Sequence, residues 1–239
     1  MTTAFSLAEL RAAYTALQNG TFAEVCTDSS TPVDTYELAG RVVGVVGVSA
    51  GIGTTTVALA VAEAVGAARL VELAAPHASG LAAASTAELG TRAGWTLGQR
   101  GDLRLERRDT PDATIPAADD ADDVTVVDLG TFTPHIPTTG SLVVVAPCSV
   151  PGIRRLNACL TTLNPAEFVV VVPGAPGRTL PRTVAGAFAP AVRAAAAGGR
   201  VLAVPESAAF RLTGVTGEPL PRLLRTAVAP IVDLLEDLP

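Results

Sequence analysis

Lysine is absent from this chain of 239 residues, so all seventeen of its basic residues are arginines. Any mechanism that requires a lysine ammonium is closed to the chain acting alone. A GC-rich genome, which favours Arg, Ala and Gly codons, accounts for the bias more simply than avoidance of lysine modification. Aromatic residues make up only 4% of the chain, and there are three cysteines, Cys26, Cys148 and Cys159. Their spacing fits no metal-ligand pattern and their odd number leaves one unpaired, which argues against a zinc site or a disulfide framework and for inert buried thiols. No apolar run approaches the roughly eighteen residues a spanning helix needs. Met1 to Leu17 carries Glu9 and Arg11 among its apolar residues and lacks the basic-then-apolar layout of a secretory signal, so a cytoplasmic location is expected. Basic surface is also scarce. A formal charge of −6 and a pI near 4.9 argue against an extended nucleic-acid face.

What the chain has in quantity is apolar residues, 49% of the total and mostly Ala, Val and Leu, enough for a substantial core. Leu7, Leu10, Tyr14 and Leu17 recur at helical spacing and predict a short amphipathic helix ending at Asn19-Gly20. This stripe suits docking onto a partner, onto a second copy, or back onto its own domain. Thr21 to Leu38 is polar, contains Pro32 and reads as a linker, giving an N-terminal helix and linker over residues 1–40 and an α/β domain over 41–239.

From Arg41 onward, short Val-rich runs alternate with Ala/Leu-rich stretches, the signature of βαβ units around a parallel sheet. Strands are predicted at Val42–Val46, Leu70–Leu73, Val124–Val127, Leu142–Val145, Phe168–Val172 and Val201–Val204. Helices are predicted at Thr55–Val65, Ser79–Leu89, Ile153–Leu163, Val184–Ala196 and Arg222–Leu238, the last kinked or split at Pro230. The fold class expected is a three-layer α/β domain, a mostly parallel twisted sheet with helices on both faces. Thr91 to Asp123 reads as an irregular insertion. Its Arg100, Arg104, Arg107 and Arg108 precede Asp112, Asp119, Asp120, Asp122 and Asp123, a run expected to be solvated charge. His77 and His135 fall in loops, and no Gly-x-Ser-x-Gly elbow accompanies them.

The segment Val42-Val43-Gly44-Val45-Val46-Gly47-Val48-Ser49-Ala50-Gly51-Ile52-Gly53-Thr54-Thr55-Thr56 is a buried strand, a glycine turn and a helix start. Glycines there permit positive φ and close backbone approach, and the helix N-terminus turns several N–H groups toward one spot suited to phosphate. Gly47, Gly51 and Gly53 resemble the dinucleotide turn of short-chain dehydrogenases. Those enzymes also use a Tyr-x-x-x-Lys pair downstream, whereas Tyr14 and Tyr36 are the only tyrosines here and both lie upstream.

A second resemblance runs from Arg41 to the C-terminus. Ser49 to Thr56 stands where the ParA/MinD group of deviant P-loop ATPases has Lys-Gly-Gly-x-Gly-Lys-Thr-Thr, and Val124-Thr-Val-Val-Asp128 looks like its Walker B strand. Arg69-Leu-Val-Glu-Leu-Ala-Ala-Pro76 resembles the strand that in the family ends Asp-x-Asp-Pro. Val201-Leu-Ala-Val-Pro-Glu-Ser207 and Gly217-Glu-Pro-Leu220 resemble its last conserved segments. By that resemblance Ser49, Ala50, Gly51, Ile52, Gly53, Thr54, Thr55, Thr56 and Asp128 form a nucleotide site. Thr55 and Asp128 would hold Mg²⁺, directly and through water.

Departures from the family pattern bear on the chemistry. Thr54 stands at the phosphate lysine and Ser49 at the signature lysine that reaches across a dimer. Each lost charge-assisted bond is worth about 1.5–3 kcal/mol. Glu72 and Ala74 replace the two aspartates of the second-strand box, and Val171-Val172-Pro173-Gly174 occupies the place of the adenine-reading Asn. Weak ATP or ADP binding with Mg²⁺, and no efficient hydrolysis, is the expectation, with Arg154 or Arg155 as a partial source of compensating charge; the alternative is an active nucleotide-dependent enzyme with an unusual phosphate site. The resemblance, to CpaE/TadZ-like or septum-site-determining-like members of the family, implies a positioning or scaffold module. Its partners would be proteins of a secretion, pilus or division assembly, with room for a homodimer. MinD ends in a basic lipid-binding helix, but Asp233, Glu236 and Asp237 make the end of this chain acidic, so no direct membrane binding is expected.

Overall fold

The protein is described by a computed structural model covering residues 40–74, 76–110, 113–116, 123–133, 140–205 and 212–236. The predicted N-terminal helix and linker, with Cys26 and His135, lie outside the described residues.

Strands β1 (Arg41–Gly47), β2 (Arg69–Glu72), β3 (Ala87–Arg92), β4 (Trp95–Arg100), β5 (Leu103–Arg108), β6 (Val124–Thr131), β7 (Ser141–Val145), β8 (Val169–Ala175) and β9 (Val201–Pro205) form one sheet. Its order is β3-β4-β5-β2-β6-β1-β7-β8-β9. From β5 to β9 every pairing is parallel, and only β3-β4-β5 run antiparallel. The helices are α1 (Thr54–Ala64), α2 (Val150–Leu163), α3 (Arg182–Ala185), α4 (Pro190–Ala197), α5 (Arg222–Val228) and α6 (Ile231–Glu236).

Strand alternation divides the core between two faces. Val43, Val45, Val126, Val143 and Val171 pack with α1 and with Leu224, Val228, Ile231 and Leu235 of α5 and α6. Their neighbours Val42, Val46, Val127, Val144 and Val172 pack with Ile153 and Leu156 of α2, Val184 of α3 and Val192 of α4. The three-layer parallel α/β architecture is therefore as the sequence pattern predicts. Among the described residues no helix is long and apolar enough to cross a membrane.

Three predicted elements are corrected. Ser79–Leu89 is not a helix; a short 3₁₀ turn at Pro76–Ala78 leads through bends into β3. The stretch after Thr91 is an antiparallel meander, closed by two-residue turns in which Ala93, Gly94 and Gly101 take positive φ. Val184–Ala196 is two helices, because Pro190 has no N–H to continue a helix and holds Ala189 extended. The final helix divides at Pro230 as predicted.

The arginines of the meander are also not a solvated run. Arg100 is 7% exposed and binds Glu63 Oε1 at 2.8 Å and the carbonyls of Ala84, Thr216 and Glu218. Arg107 donates to the Ala82 carbonyl and to Glu88, and Arg108 stacks over Trp95 with its guanidinium carbon 5.5 Å from the ring centre.

Candidate functional site

Strand β1 lies between β6 and β7 near the middle of the sheet, where chain connections diverge to the two sides, and ligands of such sheets bind beyond the carboxyl ends of the strands. The chain leaves β1 at Gly47 into the glycine turn. Val48 N–H donates to the Val145 carbonyl at 3.0 Å, and Phe132 N–H to the Gly47 carbonyl at 2.7 Å. The turn is thereby anchored to strands on both sides.

Gly51 and Gly53 take φ of +72° and +89°, conformations that side chains resist. Gly53 is the N-cap of α1 and has no side chain to cap with, so the first N–H groups of the helix are left for another acceptor. Ser49, Ile52, Gly53, Thr54, Thr55 and Thr56 are half-buried, and Ala50 and Gly51 are exposed. Such a cradle fits a phosphate-bearing anion. Its charge does not, because Thr54 folds back on the strand end. A β-carbon on Gly47 would collide with Thr54 Oγ1 and lie 3.2 Å from Thr54 Cβ.

Behind the turn stand two carboxyl groups. Asp128 pairs in register with Val45 on one side and Glu72 on the other, and both acids are fully buried. Asp128 Oδ1 accepts the Gly130 N–H at 2.9 Å, and Oδ2 has no hydrogen-bond partner among the described residues. Burial pushes the Asp128 carboxyl up to about 6; the Thr55 hydroxyl and the Gly130 N–H act against that, and the charge of Glu72 adds to it. Thr55 thus faces the carboxyl without completing a bond to Oδ2.

Glu72 accepts from Ser79 Oγ at 2.5 Å, Gly80 N–H at 2.7 Å and Leu81 N–H at 3.3 Å. Burial raises its pKa as well, against those three bonds and Arg107. Sequence reasoning aligned Glu72 with an acid of the family but missed Ser79 and Gly80, which were assigned to a helix.

The remaining sequence candidates are dispersed. Pro173 and Gly174 sit in β8, and Arg154 and Arg155 lie exposed on α2. His77 is exposed in the 3₁₀ turn. Both described cysteines are free thiols, and burial pushes that of Cys159 up to about 11.

No protein-family model matches this chain, and no curated protein does. Solved structures do. A ParA-family ATPase from Chlorobium tepidum superposes with a TM-score of 0.51 at 16% identity, over 84% of this chain and 99% of that one. A putative plasmid partition protein from Borrelia burgdorferi bound to AMPPNP gives 0.52 at 10% identity, over 83% and 99%. A chain of the MinC:MinD cell division protein complex of Aquifex aeolicus gives 0.53 at 18%, over 82% and 96%. At these identities the likeness establishes the fold, that of ParA/MinD ATPases.

Proposed function

We propose that this chain is a ParA/MinD-fold module that holds a phosphate-bearing ligand weakly, does not hydrolyse it, and acts by positioning a protein partner. The observation that carries the reading is Thr54: the position from which a phosphate-neutralising ammonium would extend holds a short hydroxyl turned against Gly47. Phosphoryl transfer depends on positive charge matched to the developing charge on the transferred group. The turn retains backbone N–H groups and no cation of its own, a combination suited to holding an anion and unsuited to activating it. Binding affinity should be lowered by about ten- to more than hundredfold for each missing charge-assisted contact.

The partner is a protein, in line with the neighbour described as a MinC:MinD cell division protein complex. An assembly for secretion, pilus formation or cell division is the setting that the likeness suggests, and a homodimer is compatible with it. Equilibrium titration with labelled ATP and ADP tests the binding half of this reading. Dissociation constants near or above the millimolar range support it, and micromolar affinity contradicts it.

A further inference from the structure

In the fold family, Thr55 and Asp128 would be the side chains that hold a divalent cation beside the phosphates. In this chain the backbone of Gly80 packs against the first of them. The α-carbon of Gly80 faces Thr55 so closely that a β-carbon there would lie 2.7 Å from Oγ1, 2.8 Å from Cγ2 and 2.9 Å from Cβ. Thr55, half-buried, therefore has Gly80 against one side of its side chain and the Asp128 carboxyl beside it.

What fixes Gly80 there is Glu72. Its two oxygens accept three donors from consecutive residues, Ser79 Oγ on Oε2 and the N–H groups of Gly80 and Leu81 on Oε1. A buried carboxylate with three donors is well satisfied, and none of those bonds is made to solvent. Leu81, the next residue, is fully buried in the core beside α1 and anchors the far end of the turn. Glu72 is thus a positioning residue for the chain's own backbone. Asp128 Oδ2, on the other side of Thr55, is fully buried and has no hydrogen-bond partner among the described residues, so no ordered donor holds it toward a metal-bound water.

We propose that the Ser79–Leu81 turn, clamped by Glu72, closes the metal side of the glycine loop, so that any phosphate-bearing anion taken there binds without a divalent cation. This rests on the reading of the loop as an anion cradle. It separates the chain from a merely weakened ATPase, which would still require Mg²⁺ for its best binding.

The test is calorimetric titration of the full chain with ATP, ADP and inorganic phosphate, in EDTA and in excess Mg²⁺, together with hydrogen exchange at Gly80 and Leu81. Affinities that agree within about twofold in the two buffers support the proposal. Tightening of about tenfold or more with Mg²⁺ overturns it while leaving the cradle intact. Absence of binding in both buffers overturns the cradle reading, and the metal-free ligand with it.

For the clamp, Glu72→Gln keeps the shape but removes the charge and presents a donor to donors. Protection of the Gly80 and Leu81 amides should fall at least about tenfold, with amides in β7 and β8 unchanged. Ser79→Ala, which removes only one of the three donors, should give a smaller loss in the same two amides. Unchanged exchange in both variants overturns the clamp.

Discussion

Glu72 and Asp128 stand opposite one another in register on β2 and β6, both without solvent exposure, yet they are satisfied very differently. Glu72 accepts three hydrogen bonds, whereas Asp128 accepts the Gly130 N–H on Oδ1 and, among the described residues, nothing on Oδ2. Burial raises the cost of ionising Asp128, and the charge of Glu72 adds to it.

A pH dependence of stability follows from that cost. The Asp128 pKa is raised from 3.8 to about 6 on folding, so between those values the folded chain binds more protons than the unfolded one. Stability contributed by this group is fully present below the unfolded value and is lost as pH rises through about 6. A shift of roughly two units corresponds to about 3 kcal/mol. Chemical denaturation at pH 5 and pH 7.5 should show the chain more stable at the lower pH, with the difference reduced in Asp128→Asn. A wild type equally stable at both would mean that Asp128 is not held in this enclosure.

Gly80→Ala probes the contact with Thr55. A β-carbon there meets three atoms of a short, branched side chain that cannot swing away as a whole, and such overpacking costs about 1–3 kcal/mol. Gly177→Ala is the control, since nothing lies within 4 Å of a β-carbon at that position. Urea denaturation should show a loss in the first variant, and no loss or a small gain in the second.

Arg100 carries a separate structural load. Its guanidinium joins Glu63 of α1 to the carbonyls of Ala84, Thr216 and Glu218, and so ties the meander to the segment before α5. Arg100→Ala leaves those carbonyls and the partly exposed Glu63 without their donor and should cost about 1–3 kcal/mol in the same denaturation assay. A loss below about 1 kcal/mol would show that water replaces it readily.

The parts of this fold that were legible in the sequence are those where the pattern is local. Val42 to Val46 and Thr54 to Ala64 announce a strand and a helix by composition, and Gly51 and Gly53 mark the turn between them because their φ values require glycine. Ser79 to Leu89 was misread because its alanines favour a helix in isolation. The acceptors that hold it otherwise, Glu72 and the β4 ladder, are remote contacts no local pattern records. The meander did leave a signal. Ala93-Gly94 and Gly101-Asp102 are two-residue turns, and Leu103 and Leu105 alternate with charged residues, but the density of arginine and aspartate disguised them. In the site, the missing lysines were visible at once, whereas the role of Glu72 needed the packing of Gly80.

Restoring the phosphate lysine separates a missing charge from a rebuilt pocket. Thr54→Lys should raise nucleotide affinity by about tenfold, or about 1.4 kcal/mol, since the turn and helix N-terminus are already in place. No turnover should accompany it, because Ser49, Ala74 and Pro173 leave the cross-dimer charge, the second acid and the base contact unrepaired. A hundredfold gain with turnover would show that one substitution had silenced an otherwise complete enzyme.

The central claim, that this chain keeps the ParA/MinD fold without its hydrolysis, is tested most directly by phosphate release from ATP, with Mg²⁺ present. Wild type, Thr55→Ala and Asp128→Ala should all release phosphate at the rate of the buffer blank. Turnover by the wild type that disappears in both variants would contradict the account and place the chain among active ATPases.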